Sequence, residues 1–166
     1  MDAVTFTVDC GGYDQLMREA ETCRQVLAPR DVNIVLMRVS KGRALVYVYR
    51  GKRLEMDLCC PLRREYLEKC GYTEFDSESA VEMLRQRIEE TGGFPHEIGL
   101  FLGYPLRDVE GFVANCGRNC LMCGPWKVYH DVQTAERVFA RLRKCTAIYR
   151  KLYDMGKPLE RLTVAS

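Results

Sequence analysis

Three closely spaced cysteines are the residues of this sequence best suited to chemistry. Cys116, Cys120 and Cys123 are separated by three and two residues, and Gly117 and Gly124 leave the backbone free to curl around a bound group. Thiolates at such spacing bind an iron–sulfur cluster or a zinc ion, so a metal- or iron–sulfur-binding redox protein is the alternative to the ligand-binding function predicted below. The alternative to a metal site is that Cys116 packs on a helix face as a small apolar side chain, while Cys120 and Cys123 lie in a loop. Candidates for a fourth ligand are His96, His130 and Cys145.

The same cysteines allow two further kinds of chemistry. Cys120 and Cys123 have the spacing of a redox dithiol, although thioredoxin-like motifs lie at a helix N-terminus and this pair precedes a predicted strand. Cys123 and the neighbouring His130 are compatible with a Cys–His nucleophile, which needs the two side chains in contact. Neither pattern makes a catalytic constellation, and we favour a protein that is not an enzyme.

A second group of residues predicts a binding pocket. His96, Glu97 and Tyr104 lie in an apolar run punctuated by glycines, and Trp126 and His130 bound a short predicted strand. Ligand pockets are mostly apolar with a few convergent polar groups, so these five residues are predicted to bind a small molecule or a protein partner. The alternative for His96 and Glu97 is a buried polar pair that bonds the backbone at a turn.

Composition restricts the class of protein. The chain has 166 residues, with 25 Lys and Arg against 23 Asp and Glu, and this near-neutral balance argues against a dedicated nucleic-acid binder. No stretch approaches the roughly 18–20 apolar residues of a membrane helix, and the N-terminus lacks the pattern of a secretory signal. We therefore expect a cytoplasmic protein with reduced cysteines and no membrane association.

Hydrophobic periodicity and turn residues predict the elements that position these groups. Strands are predicted at residues 3–8, 32–39, 44–49 and 126–129, the middle two joined as a hairpin through residues 40–43. Helices are predicted at residues 13–28, 61–70, from Asp76 or Ser77 to Gly92, at 106–115 and at 132–154. This order predicts an α/β fold, a mixed sheet with helices packed on it, in a single compact domain over residues 1–166; α+β is the alternative.

The long C-terminal helix is predicted to be amphipathic. Its apolar stripe, at spacings of three and four, comprises Val138, Leu142, Cys145, Tyr149 and Leu152. Cations line one flank of this stripe: Arg137, Arg141, Lys144 and Lys151. We expect them to extend over the edge of the core into water, and contact with phosphate or nucleic acid is the alternative.

Two segments carry a resemblance to a known family. The run Phe-Pro-His-Glu-Ile-Gly-Leu-Phe-Leu-Gly-Tyr-Pro at residues 94–105 and the run Gly-Pro-Trp-Lys-Val-Tyr at residues 124–129 resemble the bacterial domain-of-unknown-function family 3793. The resemblance covers about residues 30–166. It implies an uncharacterised bacterial protein, with no activity, cofactor or catalytic residue to transfer. The chain lacks the His-Cys-Ala-Pro-Thr-Leu-Ala-Gly segment with which members often begin.

Overall fold

The computed structural model describes residues 3–9 and 13–163. Described residues up to Gly103 form one compact unit, and those from Tyr104 onward form a second. Helices and small antiparallel sheets make up these units, which confirms the predicted mixed α/β class. The prediction that the whole chain is one compact domain stays a prediction. No helix among the described residues is long and apolar enough to cross a membrane.

The first unit is built on a three-stranded antiparallel sheet. Its strands are β1 (Ala3–Asp9), β2 (Val32–Ser40) and β3 (Arg43–Arg50), in the order β1-β3-β2. Its helices are α1 (Tyr13–Leu27), α2 (Gly51–Leu58), α3 (Pro61–Lys69), α4 (Ser77–Thr91) and α5 (Ile98–Phe101). Helices α1 and α4 pack against β2. All the strands and helices that the sequence predicted in this unit are therefore present.

The β2–β3 hairpin forms as predicted because its turn chemistry is local. Lys41 and Gly42 have φ values of 51° and 73°. Positive φ at both central residues is the signature of a type I′ turn, whose twist matches that of the flanking strands. Ser40 consequently pairs with Arg43 at the end of the ladder.

The core of the first unit lies between β3 and the helices. Tyr47 is fully buried at the middle of β3, and its hydroxyl donates to the carbonyl of Phe101 at 2.7 Å. Leu84 and Ile88 of α4 are fully buried. The helix begins at the predicted cap, because the Asp76 carboxylate accepts a hydrogen bond from the Ser79 amide at 2.9 Å. The hydroxyl of Tyr47 thereby fixes the end of α5 to the sheet.

Helix α2 was not predicted, and its N-terminus explains why. Its first residue is Gly51, and the N-cap residue Arg50 makes no side-chain cap. The free Lys52 amide instead donates to both carboxylate oxygens of Asp31, at 3.2 Å each. A Cβ on Gly51 would lie 3.0 Å from the Asp31 carboxylate, so the glycine admits this contact. A cap supplied from 21 residues earlier leaves no local start signal in the sequence.

The second unit combines one long helix with a short hairpin. Its elements are α6 (Leu106–Ala114), β4 (Met122–Cys123), β5 (Lys127–Val128), α7 (Val132–Asp154) and α8 (Leu159–Leu162). Helix α7 has the predicted bounds, because Asp131 caps it by accepting from the Thr134 amide at 3.0 Å. The predicted strand at residues 126–129 is shorter than expected. Four buried residues form its core: Trp126, Val128, Ala135 and Phe139.

Gly111 allows α6 to lie directly against Tyr129. A Cβ added at Gly111 would lie 2.5 Å from the Cβ of Tyr129 and 2.6 Å from its Cγ. Glycine normally weakens a helix interior by about 1 kcal/mol relative to alanine. Here the close approach of backbone to ring requires it.

We expect Gly111→Ala to lower the free energy of unfolding by about 1–3 kcal/mol, because overpacking outweighs the gain in helix propensity. Thermal unfolding followed by circular dichroism measures this. The matched control is Gly93→Ala, since a Cβ at Gly93 meets no atom within 4 Å. An increase in stability for Gly111→Ala would contradict this prediction, because it would mean that the Tyr129 side chain moves aside to accommodate the added methyl group at little cost.

Candidate functional site

The end of α6 and the β4–β5 hairpin determine where the three predicted cysteines lie. Helix α6 closes with two bonds, from the Gly117 amide to the Phe112 carbonyl at 2.8 Å and from the Cys116 amide to the Val113 carbonyl at 3.1 Å. These are the two bonds of a Schellman motif. Cys116 therefore occupies the left-handed position that glycine usually takes, with φ of 48°. The cysteine terminates the helix.

Cys120 and Cys123 are brought together at the start of the hairpin. Their Sγ atoms lie 3.2 Å apart. The Leu121 amide donates to the Val128 carbonyl at 2.8 Å, and this bond holds the segment between the two thiols against β5. Cys123 is exposed and Cys120 is half-buried. The two thiols therefore form an accessible pair.

The charge state of the pair follows from this geometry. The pKa of the Cys123 thiol is raised, first by its hydrogen bond with Cys120 and then by desolvation, while the Lys127 ammonium acts in the opposite direction. Lys127 itself is held by donating to the Gly117 carbonyl at 2.7 Å. Cys123 thus keeps its proton to higher pH than an isolated thiol would.

The predicted three-thiolate metal site is not assembled in the described part of the chain. No group of three or more His, Cys, Asp or Glu side chains there is placed to hold a metal ion. Cys116 is exposed, so packing on a helix face as a small apolar side chain does not account for it either. An iron–sulfur cluster or zinc ion at Cys116, Cys120 and Cys123 stays a prediction.

Asp108 organises the polypeptide that follows the cysteines. Asp108 is 4 % exposed. It accepts from the Trp126 indole Nε1 at 2.8 Å, from the Tyr129 amide at 2.8 Å and from the His130 amide at 3.2 Å. Three donors satisfy a buried carboxylate without a cation. This residue fixes β5 and the start of α7 relative to α6, and sequence reasoning did not single it out.

Aromatic contacts complete the support of the hairpin. The Trp126 ring stacks on Tyr104 with ring centres 5.1 Å apart and meets Phe139 edge-on at 4.5 Å. The Tyr104 hydroxyl donates to the Pro125 carbonyl at 3.2 Å. Burial raises the pKa of Tyr104, so this hydroxyl stays protonated. Since Pro125 follows Cys123 by two residues, these contacts restrict the movement of the backbone next to the thiol pair.

Comparison with known proteins identifies the family. The family described as "Protein of unknown function (DUF3793)" matches residues 2–163. The chain belongs to the DUF3793 family. The predicted resemblance is thereby confirmed, and the match begins well before the expected start at about residue 30. No curated protein and no solved structure matches this DUF3793 chain.

The five predicted ligand-binding residues fall in both units of the DUF3793 chain. Tyr104, Trp126 and His130 belong to the second unit, where the exposed His130 ring is hydrogen-bonded to the Arg107 guanidinium. His96 and Glu97 belong to the first unit. Glu97 is 3 % exposed and forms an ion pair with Arg87 of α4. Ligand binding by these residues stays a prediction.

Among the described residues of the first unit are two clefts that are large enough for a small molecule. One, of about 490 Å³, lies along α4 and is lined by Tyr72, Glu78 and Glu82 among others. The other, of about 410 Å³, lies between α4 and β2 and includes Arg24 and Tyr49. None of the five predicted ligand-binding residues lines either cleft.

Asp108 could have been suspected from one signal only. An acidic side chain in the first turn of a helix interacts favourably with the helix dipole, and Asp108 occupies that place in α6. Exposed carboxylates commonly occupy the same position, so this signal does not distinguish a buried carboxylate from an exposed one. Its three donors come from residues 18 to 22 positions later and become visible only in the fold.

Proposed function

We propose that this DUF3793 protein is a thiol–disulfide exchange protein whose redox centre is the pair Cys120 and Cys123. One observation carries the proposal: the two sulfurs lie 3.2 Å apart with both thiols free. A disulfide needs its sulfurs about 2.05 Å apart, so a side-chain movement of about 1 Å joins them.

The surroundings of the pair suit reaction with another molecule. Cys123 is exposed, and Leu121 between the two thiols is 63 % exposed. A disulfide-bearing partner can approach this apolar tip without displacing core residues. The contacts of Trp126 and Tyr104 hold the β4–β5 hairpin, which carries Cys123, in place during such an approach.

The reaction balances with a disulfide as the oxidant, either a protein disulfide or a low-molecular-weight one. One thiolate of the pair attacks a sulfur of that disulfide, which forms a mixed disulfide and releases the partner's first thiolate. The second cysteine attacks the mixed disulfide, forms the Cys120–Cys123 bond and releases the partner's second thiolate. Two electrons pass to the partner, and the two thiol protons end on its sulfurs.

Oxidation in glutathione redox buffers tests the proposal. Reduced protein is equilibrated in buffers of increasing oxidised fraction, quenched with a maleimide and mapped by peptide mass spectrometry. At equilibrium, maleimide labelling of Cys120 and Cys123 is expected to be lost together as the oxidised fraction rises. In a separate time course, quenched at intervals before equilibrium, oxidation is expected to be faster at about pH 9 than at pH 7, since the thiolate is the nucleophile.

Three variants sharpen this experiment. Cys120→Ser is expected to abolish the paired loss of labels. Cys145→Ser removes an exposed cysteine outside the pair and is expected to behave as the wild type. Cys116→Gly removes the third cysteine while preserving the left-handed backbone position, and it is expected to leave the pair unchanged. A pair that stays reduced where glutathione is mostly oxidised would contradict the proposal.

The metal prediction is tested on the same preparation. Elemental analysis and a visible spectrum of anaerobically purified protein detect zinc or an iron–sulfur cluster at Cys116, Cys120 and Cys123. Stoichiometric metal that is lost in both Cys116→Gly and Cys120→Ser would favour the three-thiolate site over dithiol exchange.

A further inference from the structure

Helix α7 buries residues of its first half, whereas most apolar residues of its second half are exposed and only Leu152, on the helix that α8 contacts, is half-buried. Its apolar stripe recurs at alternating spacings of three and four residues from Ala135 to Leu152. In the first half, Ala135 and Phe139 are buried against Trp126 and Val128. In the second half the corresponding face is open: Ile148 is 47 %, Tyr149 42 % and Tyr153 67 % exposed. The stripe therefore continues beyond the part that the second unit buries.

The cations beside this open stripe lack the partners that cations have on other helices. In α3, Arg64 pairs with Glu68 at 3.2 Å, and in α4, Arg85 pairs with Glu82 at 2.6 Å and Glu89 at 2.8 Å. Within residues 3–9 and 13–163, none of the α7 cations beyond residue 140 has a carboxylate at ion-pair distance: Arg141, Arg143, Lys144, Arg150 and Lys151.

These cations lie on both sides of the apolar stripe. At about 100° per residue, Arg143 and Arg150 fall on one side of it and Lys144 and Lys151 on the other. Apolar side chains between the two rows of positive charge, exposed except for the half-buried Leu152, define one surface, which we call the α7 surface. Its apolar members are Cys145, Ile148, Tyr149, Leu152 and Tyr153.

We propose that the α7 surface is the docking site for an acidic amphipathic helix of a partner protein. Alternating spacings of three and four average 3.5 residues, the repeat that lets one helix pack its side chains between those of another. Carboxylates flanking the partner's apolar seam would neutralise both rows of cations and speed association. This inference is independent of the dithiol.

Other occupants fit these observations less well. A second copy that paired α7 with α7 would bring the cation rows of the two copies together, and such like-charge contacts oppose association. Nucleic acid would use the cations but gains nothing from Ile148 and Leu152. Exposed tyrosines between arginines are the composition of protein–protein interface centres.

Binding to synthetic helical peptides of about three heptads tests the proposal by fluorescence anisotropy. One peptide carries leucine at its seam and glutamate at its flanks; the other has lysine in place of glutamate. We expect the acidic peptide to bind the full chain, more weakly as salt rises, and the basic peptide not to bind. Tyr149→Ser/Tyr153→Ser is expected to weaken binding about tenfold or more.

Charge reversal supplies the matched control. Lys144→Glu/Lys151→Glu is expected to weaken acidic-peptide binding about tenfold or more, whereas Arg18→Glu/Arg118→Glu, with the same change in net charge on exposed residues elsewhere, leaves it within about twofold. Circular dichroism verifies that each variant is folded.

Several results would overturn the proposal. Equal binding of the acidic peptide by both charge-reversed variants would remove the role of the flanking cations. Duplex DNA or anionic phosphatidylglycerol vesicles that bind more tightly than the peptide would assign the surface to those partners. A dimer seen by light scattering that is lost in Tyr149→Ser/Tyr153→Ser would assign it to a second copy.

Discussion

Asp108→Ala is expected to lower the free energy of unfolding of the second unit by about 3–5 kcal/mol. Asp108 is 4 % exposed, and its carboxylate accepts hydrogen bonds from the Trp126 indole and from the amides of Tyr129 and His130. A buried donor left without an acceptor costs about 1–3 kcal/mol, and the Trp126 indole is such a donor, whereas the amides of Tyr129 and His130 are partly buried. Since alanine offers no acceptor, all three donors lose their partner at once.

Urea unfolding monitored by fluorescence measures this effect, because Trp126 is the single tryptophan of the chain and lies in the unit concerned. Glu110→Ala is the matched control, an exposed carboxylate two residues later on α6, and its expected change is within about 0.5 kcal/mol. Asp108→Asn keeps one acceptor and is expected to fall between the two. Equal stability of Asp108→Ala and Glu110→Ala would show that water satisfies the three donors.

The predicted elements that formed are those whose signals are local. The type I′ turn at Lys41 and Gly42 and the Asp131 cap of α7 each depend on residues within a few positions. In contrast, helix α2 is capped by the distant Asp31, and glycine is required at position 111 because Tyr129 lies against it. Contacts over such distances follow from the fold, so sequence patterns could not reveal them.

The candidate site shows the same division. The Sγ atoms of Cys120 and Cys123 lie close in space, since a spacing of two intervening residues spans a single turn. The predicted role of these thiols stays a prediction. Three residues separate Cys116 from Cys120. The position of Cys116 is set by the hydrogen bonds that end α6. Spacing alone could not anticipate that a cysteine would take the left-handed position of a Schellman motif, because that position usually holds glycine.

Glu97 illustrates how a buried carboxylate resembles a binding residue in the sequence. An acidic residue inside an apolar, glycine-punctuated run predicted a pocket. In the first unit its carboxylate is paired with Arg87, whose guanidinium also donates to the Cys70 carbonyl at 2.9 Å. Helix α4 supplies that arginine from ten residues earlier, on the opposite side of the Gly92 helix end. The ion pair therefore offers a structural reason for burying Glu97.

Arg87→Met is expected to lower the free energy of unfolding of the first unit by about 3–5 kcal/mol, because it leaves the buried Glu97 carboxylate without its cation. Far-UV circular dichroism during urea unfolding measures this. The matched control is Arg85→Met on the same helix, whose ion pairs with Glu82 and Glu89 are more exposed and whose expected loss is at most about 1 kcal/mol.

The double variant Arg87→Met/Glu97→Leu separates a structural role for Glu97 from a binding role. Replacing both members of a buried ion pair by apolar side chains is often neutral or stabilising, so most of the lost stability is expected to return. Recovery would mean that Glu97 is buried to pair with Arg87. A double variant less stable than Arg87→Met would mean that the Glu97 carboxylate has further partners that leucine cannot replace, and its assignment to a binding pocket would then regain support.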